Sequence, residues 1–170
     1  DAEIGAERDS SRAAALIALT QSLNGPTRSA LSLLRAGGNR SGADACMTWQ
    51  TGYPAAVDFA RGFPRYRPHD GTVGARLDRG DVDAVLVLGS AAGIPPSVVS
   101  ALASIPTAVI GPRASESPLA GGVAAIDTGV AGIHEAGTAL RMDDAPLPLR
   151  VAVSGPPPAL DVIRALRARL

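Results

Sequence analysis

Few side chains in this sequence are spaced for acid–base or metal chemistry. Histidine occurs only twice, and each copy stands beside a carboxylate, in His69-Asp70 and in His134-Glu135. Two histidines far apart in the chain are a weak metal signal, and neighbouring side chains need not face the same site. The single cysteine, Cys46, rules out a disulfide or a cysteine-ligated cluster within these 170 residues. We therefore predict no catalytic residue and no metal site.

A glycine-rich turn is the strongest candidate for ligand binding. The turn Gly89-Ser90-Ala91-Ala92-Gly93 follows a continuous apolar run, and its backbone N–H groups could hold a phosphate. However, it lacks the G-x-G-x-x-G spacing, and two consecutive prolines soon after it cannot donate hydrogen bonds. The next apolar run ends in Gly111, where a nucleotide site usually has an acidic residue. These departures argue against an active nucleotide site.

An aromatic and arginine-rich segment is the other candidate site. All the aromatic residues fall between positions 49 and 66, namely Trp49, Tyr53, Phe59, Phe63 and Tyr66. One interpretation is a loop whose rings fill the core, and the other is a contact surface, because aromatic residues and arginine are enriched at interface hot spots. The two interpretations are compatible. We expect Trp49 and Phe59 to pack inward, and we predict a partner interface made of Tyr53, Arg61, Arg65, Tyr66 and Arg67.

Hydrophobic patterns predict the elements that position these residues. The apolar runs Asp83–Leu88 and Thr107–Ile110 are typical of buried strands, and Ser97–Ser104 between them has the pattern of a helix, so together they form a parallel βαβ unit. Further helices are predicted over Ser10–Leu23, Ser41–Gln50, Thr72–Arg79 and Ala159–Leu170, and short strands over Arg28–Leu34, Val123–Ile126 and Thr138–Met142, with residues 146–149 extended. Asn39 or Ser41 is the expected cap of the second helix.

The predicted fold class is α/β, a single domain with a mainly parallel, Rossmann-like sheet flanked by helices. We place this domain at residues 1–155 and a C-terminal helix at 156–170, after a proline-rich hinge that begins with Gly155. The 170 residues and 46% hydrophobic content suffice for a sizeable core.

Charge and hydropathy exclude several classes of partner. Lys+Arg and Asp+Glu both number 16, and a neutral chain has no overall field to attract nucleic acid. Every basic residue is arginine, which removes the P-loop lysine and the Schiff-base lysine. Since no apolar run approaches the roughly 18 residues of a membrane span and no signal peptide opens the chain, we predict a cytoplasmic protein that binds neither nucleic acid nor membrane.

A series of short motifs carries a more specific signal. In chain order they are WQTGYP at 49–54, AVDFARG at 56–62, PRY at 64–66, DRGDVDA at 78–84, LGS at 88–90 and a GTxxRMD stretch at 137–143. Over roughly residues 38–150 the sequence resembles the B subunit of formylmethanofuran dehydrogenase. Within that group it is most similar to the B subunit of the bacterial formyltransferase/hydrolase complex.

The resemblance also has implications for cofactors. The archaeal relatives belong to the molybdopterin oxidoreductase superfamily and use a tungsten or molybdenum pterin dinucleotide with an iron–sulfur cluster, held on a longer N-terminal stretch. In this sequence LGSAAG replaces an LGSDP-like turn, and Gly111 stands where relatives tend to have Asp. The resemblance therefore implies that Gly89, Ser90 and Gly111 form a vestigial turn in a reduced version of the subunit that binds no cofactor.

The function implied by the resemblance is that of a non-catalytic structural subunit. The bacterial complex takes formyl-tetrahydromethanopterin to formate through a methanofuran-like coenzyme, as part of formaldehyde oxidation in methylotrophs. The implied partners are a zinc amidohydrolase-like subunit, a formyltransferase subunit and the C subunit that serves as scaffold. One alternative is a fragment of the B subunit of an active molybdenum or tungsten pterin-dependent dehydrogenase. Another alternative, a free-standing nucleotide-binding domain, is disfavoured by the prolines after the glycine turn.

Overall fold

A computed structural model describes residues 10–32, 38–91, 94–119, 121–141 and 143–169. The helices are α1 (Ser10–Leu23), α2 (Arg40–Thr51), α3 (Val73–Asp78), α4 (Pro96–Leu102) and α5 (Ala159–Arg167). The strands are β1 (Val57–Asp58), β2 (Arg65–Tyr66), β3 (Val85–Leu88), β4 (Thr107–Gly111), β5 (Ala124–Asp127), β6 (Gly137–Leu140) and β7 (Pro146–Leu149). A short 3₁₀ turn at Ala114–Glu116 follows β4.

The central sheet has three parallel strands in the order β3-β4-β5. Strand β4 is in the middle, with Val109 opposite Val87 on one side and Ala125 on the other. Helix α4 connects β3 to β4, so the predicted βαβ unit is confirmed, as is the α/β class with helices beside a parallel sheet. Two small antiparallel sheets, β1-β2 and β6-β7, complete the architecture.

The hydrophobic core lies on one face of the central sheet. The Val109 side chain is completely buried there, against Leu102 from α4, Ala114 and Leu119. On the opposite face, Leu86 and Leu88 of β3 are both 56% exposed. A parallel sheet is usually covered on both faces, so β3 leaves part of its second face open.

Helix α2 is anchored by the residue that precedes it. Asn39 adopts a left-handed conformation (φ 55°), and its side chain does not cap the helix. Instead, the Asn39 amide group donates to the Thr138 carbonyl at 2.8 Å, and its side-chain oxygen accepts from the Leu140 N–H at 2.9 Å. The expected capping bond is thus replaced by a connection between α2 and strand β6.

One predicted strand differs from the structure. Residues 28–32 form no strand, and residues 33 and 34 of that prediction lie outside the described residues. The segment at 146–149 is extended as predicted, and it forms strand β7 by pairing with β6.

The C-terminal helix α5 is attached at its first turn. The Glu135 carboxylate accepts a hydrogen bond from the Ala159 N–H at 3.0 Å, and the Gly129 N–H donates to the Pro157 carbonyl at 2.9 Å. The domain limit at residue 155 remains a prediction. No helix within the described part of the chain has the length and apolarity to cross a membrane.

Candidate interaction site

The β1–β2 hairpin positions most of the charged and aromatic side chains of interest. Asp58 pairs with Arg65 across the hairpin, and Val57 pairs with Tyr66. The turn between the strands closes at Gly62, whose positive φ of 81° suits a residue without a Cβ. Because side chains alternate along a strand, Arg65 and its second neighbour Arg67 lie on one side of the hairpin and Tyr66 on the other.

Asp58 is the centre of a cluster of guanidinium groups. The residue is only 5% exposed, yet its carboxylate contacts three arginines. Oδ2 lies 2.6 Å from Nη2 of Arg65 and 3.4 Å from Nη1 of Arg67, while Oδ1 lies 3.3 Å from Nη2 of Arg76. The Ala60 N–H donates to Oδ1 at 2.8 Å. This backbone hydrogen bond, together with the Arg65 and Arg76 charges, lowers the pKa of Asp58 to about 2 against the opposing effect of burial.

A second layer of ion pairs surrounds this cluster. Arg67 donates through Nε to Asp70 at 3.0 Å, and its Nη2 also contacts the same carboxylate, so Arg67 joins Asp58 to Asp70. Arg79 pairs with Asp81 at 2.7 Å and donates to the Asp70 carbonyl at 2.7 Å. Together these side chains line a cavity of about 450 Å³. We call this group the arginine cavity, defined by Asp58, Arg65, Arg67, Asp70, Arg76, Arg79 and Asp81.

Exposed aromatic rings lie in the same segment of the chain. Tyr53 stacks on Tyr66 with ring centres 5.2 Å apart and planes 5° from parallel. Phe59 and Phe63 are each 54% exposed, and Trp49 is 82% exposed. The expectation that Trp49 and Phe59 pack inward is therefore wrong. Helix α2, which carries Trp49, has no buried residue, because the core of the central sheet is filled by aliphatic side chains from other elements.

The predicted interface residues fall into three groups. Tyr53 and Tyr66 form the stacked pair, Arg65 and Arg67 join at Asp58, and Arg61 is exposed in the turn between β1 and β2. Sequence reasoning did not single out Asp58, nor its contact with Arg76 on α3. The alternation Arg65-Tyr66-Arg67 was the available signal, since it places two cations on one side of an extended strand.

The glycine turn occupies the carboxyl edge of the central sheet. Gly89, at φ 95°, donates its N–H to the Ile110 carbonyl at 2.9 Å, so the ends of β3 and β4 meet as predicted. A Cβ added to Gly111 would overlap the Gly89 carbonyl oxygen. A side chain at residue 111 would therefore require the ends of β3 and β4 to move apart.

A cavity of about 370 Å³ lies beside the glycine turn, lined in part by Ser90, Arg113 and Glu116. Arg113 pairs with Glu116, and Asp127 accepts hydrogen bonds from the Ser115 N–H and hydroxyl at 2.9 and 2.6 Å. These polar groups are thus paired within the chain at the edge that the resemblance associates with a pterin dinucleotide.

The histidines have separate surroundings. His134 accepts a hydrogen bond from the Val130 N–H through Nδ1 at 3.1 Å, which agrees with a hydrogen-bonding role. His69 and Cys46 are both exposed. Within the described ranges, no three His, Cys, Asp or Glu side chains come together as metal ligands.

The fold and the site define an α/β protein whose most developed feature is a surface of arginines and aromatic rings. Among proteins of known name, the chain is similar to the B subunits of tungsten-containing formylmethanofuran dehydrogenase 2 from two archaea. It is 37% identical to that of Methanocaldococcus jannaschii over 142 residues, which is 82% of this chain and 32% of the relative. It is 35% identical to that of Methanococcus maripaludis over 136 residues, 79% of this chain and 31% of the relative.

A solved structure supports the same relationship. The chain is similar, with a TM-score of 0.70 and 25% identity, to a chain in the crystal structure of the formyltransferase/hydrolase complex (FhcABCD) from Methylorubrum extorquens in complex with methylofuran. The likeness covers 91% of this chain and 43% of that chain. No known family profile matches the sequence.

The chain is therefore homologous to the B subunit of formylmethanofuran dehydrogenase, and the predicted resemblance is confirmed. It spans about a third of the length of the curated relatives it matches.

Proposed function

We propose that the chain is a non-catalytic part of a multi-subunit complex of formylmethanofuran-related one-carbon metabolism, where it contributes contact surface. The observation that carries the proposal is the surface formed by Tyr66, Phe59 and Phe63 beside Arg61, since exposed rings next to arginine are characteristic of interface hot spots. The names of the relatives, all subunits of enzyme complexes, support the metabolic setting.

In its finer form, the proposal places the chain in a formyltransferase/hydrolase complex. That complex would take formyl-tetrahydromethanopterin to formate by way of a methanofuran-like coenzyme. The partners would be a zinc amidohydrolase-like subunit, a formyltransferase subunit and the C subunit that serves as scaffold, contacted through Tyr53, Arg61, Arg65, Tyr66 and Arg67. The methylofuran-containing structural relative supports this version.

A second candidate is a segment of an active tungsten or molybdenum dehydrogenase. The higher identity to the tungsten-containing relatives, 37% against 25% for the solved bacterial complex, favours it. The internally paired polar groups beside Gly89 and Gly111 favour the first candidate. Elemental analysis of the complex purified from its native cells, with pterin assayed in the same sample, separates the two. Stoichiometric tungsten or molybdenum that stays with this chain on dissociation would contradict the non-catalytic proposal.

The contact surface is tested with the double variant Arg61→Ala, Tyr66→Ala. We choose Arg61 because it is exposed, whereas Arg67 is paired with Asp58 and Asp70 inside the chain. If the surface is a hot spot, assembly of the purified subunits should weaken by about 2 kcal/mol or more.

The matched control is Arg150→Ala, Leu147→Ala, which removes an exposed arginine and an exposed apolar side chain at or beside β7. Thermal unfolding of each isolated variant shows whether the fold is retained. Normal assembly of the Arg61/Tyr66 variant would show that these residues do not form the interface.

A further inference from the structure

The arginine cavity contains more positive than negative charge. Its lining has four guanidinium groups, on Arg65, Arg67, Arg76 and Arg79, and three carboxylates, on Asp58, Asp70 and Asp81. Asp58 is shared by three of the arginines, whereas Asp70 and Asp81 lie in the outer layer. The cavity therefore holds one positive charge without a matching carboxylate among its lining side chains.

Several donors of these guanidinium groups are unused. A guanidinium carries five N–H donors in a planar fork that matches the two oxygens of a carboxylate. The Nε of Arg65 is buried and has no hydrogen-bond partner within the described part of the chain. Arg76 approaches Asp58 through Nη2 only, at 3.3 Å. The Arg76 side chain is 31% exposed, so a carboxylate from outside the chain can reach its N–H groups, whereas the buried Arg65 Nε is not accessible to it.

The cavity can be reached from the surface. The side chains of Arg67 and Arg79 are 38% and 42% exposed. Tyr66, which is 45% exposed, lies between Arg65 and Arg67 in the sequence, so the exposed rings and two of the four arginines belong to one hairpin. A group bound to these arginines would thus lie on the same hairpin as the surface proposed for partner contact, but on the opposite face from the Tyr66 ring.

We propose that the arginine cavity binds a carboxylate side chain, Asp or Glu, of the partner polypeptide, with Arg76 as its main donor. The inference rests on the proposed function and deepens it, since it states the chemistry of the partner surface as acidic. The charge excess matches one carboxylate, and the fork geometry of guanidinium favours a carboxylate over a neutral group. The exposed rings on the other face of the same hairpin favour a protein surface over a free small acid as the source.

The test compares Arg76→Gln with the charge-matched control Arg164→Gln in the reconstituted complex. Arg164 is exposed on α5 and pairs with Asp161, away from the hairpin in the chain. We expect Arg76→Gln to weaken assembly by about thirtyfold or more, as is typical when one partner of a desolvated charge pair is removed. It should also reduce the dependence of assembly on NaCl concentration, whereas Arg164→Gln should change neither property. Melting of the isolated Arg76→Gln variant checks that the fold is retained.

The outcomes distinguish this inference from the proposed function. Suppose that the double variant Arg61→Ala, Tyr66→Ala weakens assembly, whereas Arg76→Gln changes neither the affinity nor its salt dependence. The aromatic surface is then an interface, and the inference of an acidic partner is wrong. If neither variant affects assembly, both are wrong. If acetate at millimolar concentration releases this chain from the complex, the ligand of the cavity is a small carboxylate. The proposal of a carboxylate side chain from a partner polypeptide would then be wrong. Should Arg76→Gln unfold the chain, Arg76→Lys keeps the charge, and it should retain the salt dependence but lose affinity because its ammonium group cannot form a bidentate fork.

Discussion

Asp58 is the residue on which the charged cluster depends. Its carboxylate lies among Arg65, Arg67 and Arg76, and the Ala60 hydrogen bond with these charges lowers its pKa from 3.8 to about 2. A carboxylate whose pKa is lower in the folded state than in the unfolded state stabilises the fold fully at pH values above its unfolded pKa. This contribution is lost as the pH falls through the folded pKa. We therefore expect the stability due to Asp58 to disappear between pH 3.8 and about 2.

The measurement is acid unfolding of Asp58→Asn followed by circular dichroism. The variant should be less stable than the parent at neutral pH, because the guanidinium groups lose their shared anion, and the difference should narrow toward pH 2. Asp143→Asn is the matched control, since hydrogen bonding to Arg141 also lowers the pKa of Asp143 to about 2. The Asp143 side chain is 56% exposed, so solvent screens the pair and the variant should lose less stability. A difference for Asp58→Asn that does not change with pH would contradict this assignment.

Trp49 gives a second prediction at the scale of a single residue. Because its ring is 82% exposed, Trp49→Ala should change the free energy of unfolding of the isolated chain by no more than about 0.5 kcal/mol. Leu102→Ala is the comparison, since Leu102 is 3% exposed in the core and its truncation should cost about 2–5 kcal/mol. Urea unfolding of both variants provides the values. A loss for Trp49→Ala as large as that for Leu102→Ala would mean that the ring packs inward.

At the scale of elements, the junction of β3 and β4 depends on close contact between two glycines. A Cβ at residue 111 would overlap the Gly89 carbonyl oxygen, so Gly111→Ala must displace the ends of the strands. We expect it to lower stability by about 1–3 kcal/mol, the usual cost of overpacking. Gly121→Ala is the control, because an added Cβ there meets no atom within 4 Å. Equal melting temperatures for the two variants would contradict the proposed role of this contact.

Considered as a whole, the molecule has an uneven distribution of stability across its central sheet. Strand β4 is flanked on both sides, and its Val109 and Ile110 side chains are buried. Strand β3 pairs with β4 through Val85 and Gly89, so the N–H groups of Leu86 and Leu88 point away from β4. We expect these two amides to exchange with solvent through local opening in the isolated chain, and those of Val109 and Ile110 to exchange only on wider unfolding.

Hydrogen exchange resolved by NMR measures this difference directly. If the amides of Leu86 and Leu88 are as well protected from exchange as the amide of Val109, the edge of β3 that faces away from β4 is covered. The same measurement on the assembled complex reports whether a partner covers this edge.

Much of the secondary structure could be predicted from the sequence because local patterns specify it. Helix α1 spans the predicted residues, and the strands β3 and β4 follow from continuous apolar runs on either side of a proline-started helix. The family relationship was also available, since motifs such as WQTGYP and PRY are read in order without any coordinates.

Only the tertiary structure determined which side chains meet. Arg76 reaches Asp58 because α3 folds back onto the β1–β2 hairpin, and Asn39 binds strand β6 about a hundred residues away in the sequence. Trp49 is exposed although it is the largest apolar side chain of the sequence, since its burial depends on what packs against α2 and not on its residue type. Periodicity in a sequence defines the apolar face of an element, whereas the neighbour of that face is set by packing between elements distant in the chain.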